Sequence, residues 1–261
     1  MSGAGQPGLG RGTRLRVWLW SLGLQGSWNP QRMQNLGLLA ALVAWRRGVA
    51  APLDADRLFC RRYYEFFNTN PYLANYLIGG LIRLEQDRLA GQPLPAGLAR
   101  TYRDSLGRAL ASLGDQLFWM GLRPALTLLA CLLAVAGPWW APLGVVGAFA
   151  AGQLVLRWVS LGRGLALGMD LVEVLAARRW HRAIAAVRRT GMILAGLLLG
   201  YYLFVPQPVG GSAAGLAAAV AAGAGLVLPL LLRRRLPGEV LILAAGALAF
   251  ALSFAIPALG G

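Results

Sequence analysis

From Pro124 to Leu156 the chain reads PALTLLACLLAVAGPWWAPLGVVGAFAAGQLVL, 33 residues without a charge, bounded by Arg123 and Arg157. A single helix of that length would extend ~50 Å, well beyond a hydrocarbon core of ~30 Å. The Gly137-Pro138-Trp139-Trp140-Ala141-Pro142 sequence near its middle supplies a break, because proline cannot continue a helix and glycine favours a turn. The stretch is therefore a broken apolar hairpin over residues 124–156, with the paired tryptophans anchoring its turn at the membrane–water interface.

On the C-terminal side charge returns over residues 157–189, where Arg178, Arg179, Arg182, Arg188 and Arg189 surround the single histidine, His181. This basic segment is expected on the cytoplasmic side. A second uncharged tract runs from Thr190 to Leu232 and is interrupted at Pro206-Gln207-Pro208-Val209-Gly210-Gly211. The reading is one span near Thr190–Val205, another near Ser212–Leu232, and a last one over Val240–Ala258 after Arg233-Arg234-Arg235, so that residues 190–258 form transmembrane helices. Placing Arg123, Arg157, the Arg178–Arg189 cluster and Arg233–Arg235 on one side satisfies the positive-inside rule, with the N-terminus cytoplasmic and the C-terminus external. Gly164/Gly168, Gly196/Gly200 and Gly211/Gly215 are spaced to let helix backbones approach.

Upstream of Arg123 the pattern is mixed and amphipathic. The apolar run Leu36–Trp45 is too short to span a bilayer, which takes about 20 helical residues, and is expected at the interface or re-entering the membrane. Arg57, Arg61 and Arg62 ahead of Phe66-Phe67 suit the headgroup layer. Met1 to Gly12 is glycine-rich and lacks the apolar core of a signal peptide; residues 1–21 are expected to be disordered and cytoplasmic. The fold class is all-α, a polytopic membrane protein with an amphipathic, interfacial or re-entrant half over residues 22–123 and several transmembrane helices beyond.

Composition points the same way. Apolar residues make up 57% of the 261, charged ones 13%, and mean hydropathy is +0.56, against roughly 45–50% and 25% in a soluble domain. All 25 basic residues are arginine and the net charge is +15, but they lie at the ends of apolar runs, as membrane flanks do. That distribution argues against nucleic-acid binding. Cys60 and Cys131 are too isolated for a disulfide framework or a thiolate metal site, and no Walker-type phosphate loop is present.

Three polar blocks stand out: Ser27-Trp28-Asn29-Pro30-Gln31-Arg32-Met33-Gln34-Asn35-Leu36-Gly37, Phe66-Phe67-Asn68-Thr69-Asn70-Pro71, and Gly114-Asp115-Gln116-Leu117-Phe118-Trp119. Asn68, Thr69 and Asn70 offer donors and acceptors of the kind that bind sugar hydroxyls, on a backbone that Pro71 keeps out of the helical region. The alternative is that Asn68 or Thr69 caps a helix beginning near Tyr72. Glu85 lies in a helix-like stretch and either accepts from a ligand or pairs with Arg88; Asp115 either contributes to a site or its gate, or pairs with Arg123 or Arg108. Pro30 fits the first turn of a helix capped by Asn29. His181 has no acidic neighbour in sequence to orient it for phosphoryl transfer.

In this order, and followed by hydrophobic segments, the three blocks resemble the IID subunit of the mannose-family sugar phosphotransferase system, from about Leu22 to the C-terminus. Three departures stand out: the family's Trp-Asn-Tyr-Glu-Arg-Met-Gln becomes Trp28-Asn29-Pro30-Gln31-Arg32-Met33-Gln34, its paired acids become Glu85-Gln86, and Gly-Asp-Pro becomes Gly114-Asp115-Gln116. The lost proline puts a local break there in question. The resemblance implies a bacterial inner-membrane subunit that pairs with a IIC partner, in several copies of each, to bind and translocate a sugar, a hexose, for phosphorylation by phospho-IIB. The phosphorylated histidines lie on separate cytoplasmic IIA and IIB components, so no catalytic residue, cofactor or metal is expected here. The implied sugar-binding candidates are Asn68, Thr69, Asn70, Glu85 and Asp115; Trp28, Asn29, Arg32 and Gln34 are candidates for packing or subunit contact. The rival reading is a non-transporting membrane scaffold or regulator that retains this fold.

Overall fold

A computed structural model describes residues 9–49 and 53–204. They form α1 (Arg11–Leu22), α2 (Asn35–Arg46), α3 (Leu53–Tyr63), α4 (Ala74–Leu89), α5 (Leu98–Gly114), a π-helical segment (Asp115–Leu122), α6 (Arg123–Ala136), α7 (Ala141–Leu167), a 3₁₀ turn (Gly168–Asp170), α8 (Leu171–Ala176) and α9 (Arg178–Phe204). Among the described residues there is no strand, only isolated bridges pairing Met33 with Asn29 and with Phe67. The expected spans Ser212–Leu232 and Val240–Ala258, the break at Pro206–Gly211, the Arg233–Arg235 flank, the Gly211/Gly215 pair and the external C-terminus lie outside the described residues.

The apolar stretch folds as its punctuation dictates. α6 stops at Ala136, the turn occupies 137–140, and α7 starts with Pro142 in its first turn, where a missing N–H costs nothing. Trp139 and Trp140 are exposed at this turn. Both arms run past the charge boundaries: α5, the π segment and α6 make one continuous helical stretch, Leu98–Ala136, and the other arm is Ala141–Ala176. These two are long and apolar enough to cross a membrane. Along them Leu143, Val146 and Val155 are more than half exposed, the inverse of a soluble helix. α9 lies beside α6 and runs parallel to it, since Gly191 faces Ala125 and the Tyr201 hydroxyl donates to the Val135 carbonyl at 3.0 Å.

The N-terminal half forms a packed body around α4. Leu77, Ile78, Leu81 and Ile82 have no exposure, and α2 contributes the equally buried Leu38, Ala41 and Leu42. The short run expected to be interfacial or re-entrant is therefore covered largely by protein. α4 meets α7 at a close backbone approach: a Cβ on Gly79 would overlap the Leu161 carbonyl, and one on Gly164 the Tyr76 carbonyl. The glycine spacing on α7 thus marks a contact, although Gly168 takes a different role as a C-cap with φ +52°.

Several expectations are corrected. The segment 1–21, expected to be disordered, contains α1 from Arg11, with Val17 and Ser21 buried. Its Arg14 guanidinium stacks on Trp158 and donates to the Trp158 carbonyl at 3.0 Å, tying α1 to α7. Pro30 does not begin a helix; it sits in the tight Asn29–Met33 loop, and α2 starts at Asn35. Arg157 is not a headgroup-facing flank. It is buried, donates to the Ser21 carbonyl at 3.2 Å and lies over the Tyr72 ring, so backbone dipole and aromatic face replace the water a flank would have.

Candidate functional site

The Asn29-to-Asn35 loop is closed locally before it reaches anything else. Asn29 Oδ1 accepts the Arg32 N–H at 2.7 Å, and the Asn29 and Met33 backbones exchange hydrogen bonds at 3.1 and 2.8 Å. Met33 carries φ +55°, among the described residues the only non-glycine with positive φ. Such a conformation costs of order 1–3 kcal/mol and persists only where the surroundings over-determine it. The surroundings here are the second block: Phe67 N–H donates to the Arg32 carbonyl at 3.3 Å and Gln34 N–H to the Phe67 carbonyl at 2.8 Å.

Gln34 then continues the link with its side chain. Buried at 3% exposure, its Oε1 accepts the Thr69 N–H at 3.0 Å. Thr69 Oγ1 in turn donates to the Gly107 carbonyl on α5 at 2.9 Å. Asn70, also buried, accepts the Tyr72 N–H on Oδ1 at 3.1 Å and donates from Nδ2 to Asp115 Oδ1 at 3.0 Å. Neither Asn68 nor Thr69 caps a helix: α4 begins at Ala74 with Leu73 at its N-cap and no side-chain cap, and the Asn70 bond to Tyr72 closes a turn ahead of it. Gly114 is required for this contact, since a Cβ there would fall into the Asn70 side chain.

Among the described residues Asp115 therefore pairs with neither Arg123 nor Arg108; its partner is Asn70, 45 residues earlier. It is exposed and opens the π segment. The break that the missing Gly-Asp-Pro proline put in question is present as this widened turn, and Pro124 follows immediately after it. Proline lacks the N–H that would bond to Met120 and crowds that carbonyl, and π-helical turns of this kind absorb such irregularity and recur at functional sites. Just beyond, Tyr72 packs against Phe118, Trp119 and Phe149 with ring centroids 4.9, 5.9 and 5.9 Å apart.

Glu85 belongs to a separate cluster. Its Oε1 accepts from Arg62 at 2.6 Å and from the Tyr63 hydroxyl at 2.7 Å, joining α3 to α4; the expected Arg88 pairing gives way to these. Burial first, and then the Glu85 charge, push the Tyr63 phenol well above its ordinary pKa of 10.0, so it remains a donor across the physiological range. Asn68 is exposed beside the network. Trp28 is exposed, as is Arg32, whose guanidinium lies 4.4 Å over the Tyr64 ring. Cys60 and Cys131 are free, and His181 is exposed on α9.

Sequence reasoning missed Gly107 and Tyr72 as partners of the network and Ser21, Asn75 and Arg157 as a second buried polar group. Asn75 Nδ2 donates to Ser21 Oγ and to the Arg157 carbonyl, both at 2.9 Å. The signal available for it was Asn75 and Ser21 themselves, polar residues at the edge of apolar runs.

Residues 9–222 match the family model described as the PTS system mannose/fructose/sorbose family IID component. The chain is 30% identical over 194 residues to the mannose-specific EIID component of Escherichia coli strain K12, covering 74% of this chain and 69% of that one. It is 28% identical over 185 residues to the sorbose-specific EIID component of Lacticaseibacillus casei, covering 71% and 66%. The match spans about two thirds of the length of these relatives. Among solved structures, one titled only as a membrane protein superposes with TM-score 0.74 at 24% identity, covering 95% of this chain and 98% of that one, a likeness of fold. A chain of the mannose transporter ManYZ in complex with microcin E492 superposes with TM-score 0.58 at 25% identity, covering 97% of each.

Proposed function

We propose that this chain, which belongs to the mannose/fructose/sorbose IID component family of the phosphotransferase system, works beside a IIC-type membrane subunit to bind a sugar, a hexose, and pass it inward. It is a membrane component of that system. In this reading the chain is a multi-pass protein of the bacterial inner membrane, with its N-terminus cytoplasmic and its C-terminus external. It assembles as a hetero-oligomer, and phosphate reaches the sugar from phospho-IIB after IIA has charged it. The subunit itself transfers no phosphate: His181, exposed on a basic helix, has among the described residues no carboxylate contact that would orient an imidazole for attack.

The observation that carries the reading is the convergence of three sequence blocks on one hydrogen-bonded network, Gln34 to Thr69 and Asn70 to Asp115. Burial of Gln34, Thr69 and Asn70 makes them positioning residues, while the exposed Asn68 and Asp115 are the groups we assign to sugar hydroxyls. Glu85, with Oε1 occupied by Arg62 and Tyr63, holds α3 against α4 behind them.

The test is sugar uptake measured together with complex yield, with the IIA, IIB and IIC components supplied. Asp115→Ala removes one or two ligand hydrogen bonds to a charged acceptor, at ~1.5–3 kcal/mol each, so apparent affinity should fall at least about tenfold while the complex survives. Unchanged uptake would reject the assignment. His181→Ala should leave uptake intact; abolished sugar phosphorylation with the complex intact would overturn the chemically silent role.

A further inference from the structure

The arms of the α6/α7 hairpin enclose a groove of about 640 Å³ that the sugar network does not use. Its α6 wall is Leu122, Leu126, Leu129 and Leu133, and its α7 wall includes Gly144, Ala148, Gly152 and Gln153. Gly144, Ala148 and Gly152 recur every fourth residue, the spacing that lets a second helix backbone come close in a membrane. On the same helix Gly164 is forced by the neighbouring Tyr76 backbone, whereas a Cβ at Gly144 or Gly152 would meet nothing within 4 Å. Packing among the described residues therefore gives no reason for these two glycines.

Gln153 supplies the independent sign that something sits there. It lines the groove, is only 9% exposed, and among the described residues its Oε1 has no hydrogen-bond partner. A buried amide oxygen left unpaired carries its full desolvation cost, and no water is available at bilayer depth to relieve it. A sugar is a poor occupant, because the other lining side chains are hydrocarbon and aromatic and offer its hydroxyls almost nothing. A lipid acyl chain would fill the walls and leave the Gln153 oxygen unpaired. The chain's own tail is the poorer occupant, since residues 213–232 contain no side chain able to donate a hydrogen bond and residues 240–258 contain only one, Ser253.

We infer that this groove seats an apolar transmembrane helix of the partner membrane subunit, one that presents a hydroxyl or carboxamide side chain to Gln153. The inference rests on the reading of the chain as one half of a two-subunit transport unit. The small-residue row sets how closely that helix approaches, and Gln153 sets its depth and register.

The test co-expresses the full chain with its IIC-type partner and measures the partner retained in mild detergent. Wild-type chain that captures no partner would count against the transporter reading itself. Given capture, Ala148→Trp should fill the groove and abolish it, and Gln153→Met should weaken it about three- to fifteen-fold, while Val146→Trp, outside the groove and exposed, should leave it unchanged. Each variant is also purified alone, where yield and monodispersity equal to wild type show that the chain is folded. Capture unaffected by both Ala148→Trp and Gln153→Met would assign the groove to lipid and overturn the inference. So would equal loss in Val146→Trp. With Cys60 and Cys131 replaced by Ser, an intrachain disulfide from Ala148→Cys to a cysteine introduced between 212 and 232 or between 240 and 258, in the assembled complex, would give the groove to the chain's own tail and likewise overturn it.

Discussion

The body around α4 and the α6/α7 hairpin use the same residue types in opposite ways. In the body, Asn70, Asn75, Glu85 and Gln34 are buried and, through hydrogen bonds, knit together segments far apart in sequence. In the hairpin Leu143, Val146 and Val155 face outward and, among the described residues, Gln153 Oε1 is left unpaired. The difference teaches that specificity of fold here comes from polar contacts within the body, whereas the hairpin is completed by its surroundings. Close backbone approach along α4 and α7 holds the two together, joined by the hydrogen bonds of Arg14, Asn75 and Arg157 across the seam.

The sharpest way to break that comparison is at the seam. Gly164→Leu would drive a side chain into the Tyr76 backbone, where no flexible atom can yield; overpacking of this kind costs ~3 kcal/mol or more. Loss of folded, monodisperse chain is expected, and wild-type thermal stability in Gly164→Leu would show that the body and hairpin do not depend on this contact. Next in size is Glu85→Ala, which leaves the Tyr63 hydroxyl and Arg62 without their acceptor. Removing one member of a buried pair costs about 3 kcal/mol, readable as a drop in melting temperature. Glu85→Gln should recover part of it by keeping an acceptor.

Asn70→Ala comes third. It removes the turn bond to the Tyr72 N–H and the bond to Asp115, each ~1 kcal/mol, so stability should fall by about 2 kcal/mol. Smallest is Val146→Ala on the exposed hairpin face, where a lost methyl pair in contact with detergent or lipid should shift stability by no more than ~0.5 kcal/mol. A cost equal to that of Asn70→Ala would show that this face is packed against protein even in the isolated chain.

What could be read from sequence divides along the same line. The hairpin was legible because charge and proline are local signals: Arg123 and Arg157 bound the tract and Gly137–Pro142 breaks it. The members of the hydrogen-bonded network were legible as three polar blocks. Their mutual contacts were not, since Asn70 meets Asp115 across 45 residues and Glu85 reaches back 22 residues to Tyr63, distances over which periodicity carries no information. Arg157 misled for a related reason. An arginine ending an apolar run looks like a headgroup flank, and only the Ser21 carbonyl and the Tyr72 ring, brought in by other helices, explain its burial. The π segment was hidden because Gln116 replaces the proline expected to mark the break, while its cue here, Pro124, follows the widened turn.

The central claim, that these distant blocks form one sugar-handling network, is tested most directly by a double-variant cycle on uptake using Asn70→Ala, Asp115→Ala and the pair together, with complex yield as the control. Residues acting as a unit are strongly non-additive. The network predicts that each single variant lowers apparent sugar affinity about ten- to a hundredfold and that the double is no worse than the more damaging single. Multiplicative losses, or uptake unchanged in either single with the complex intact, would contradict it.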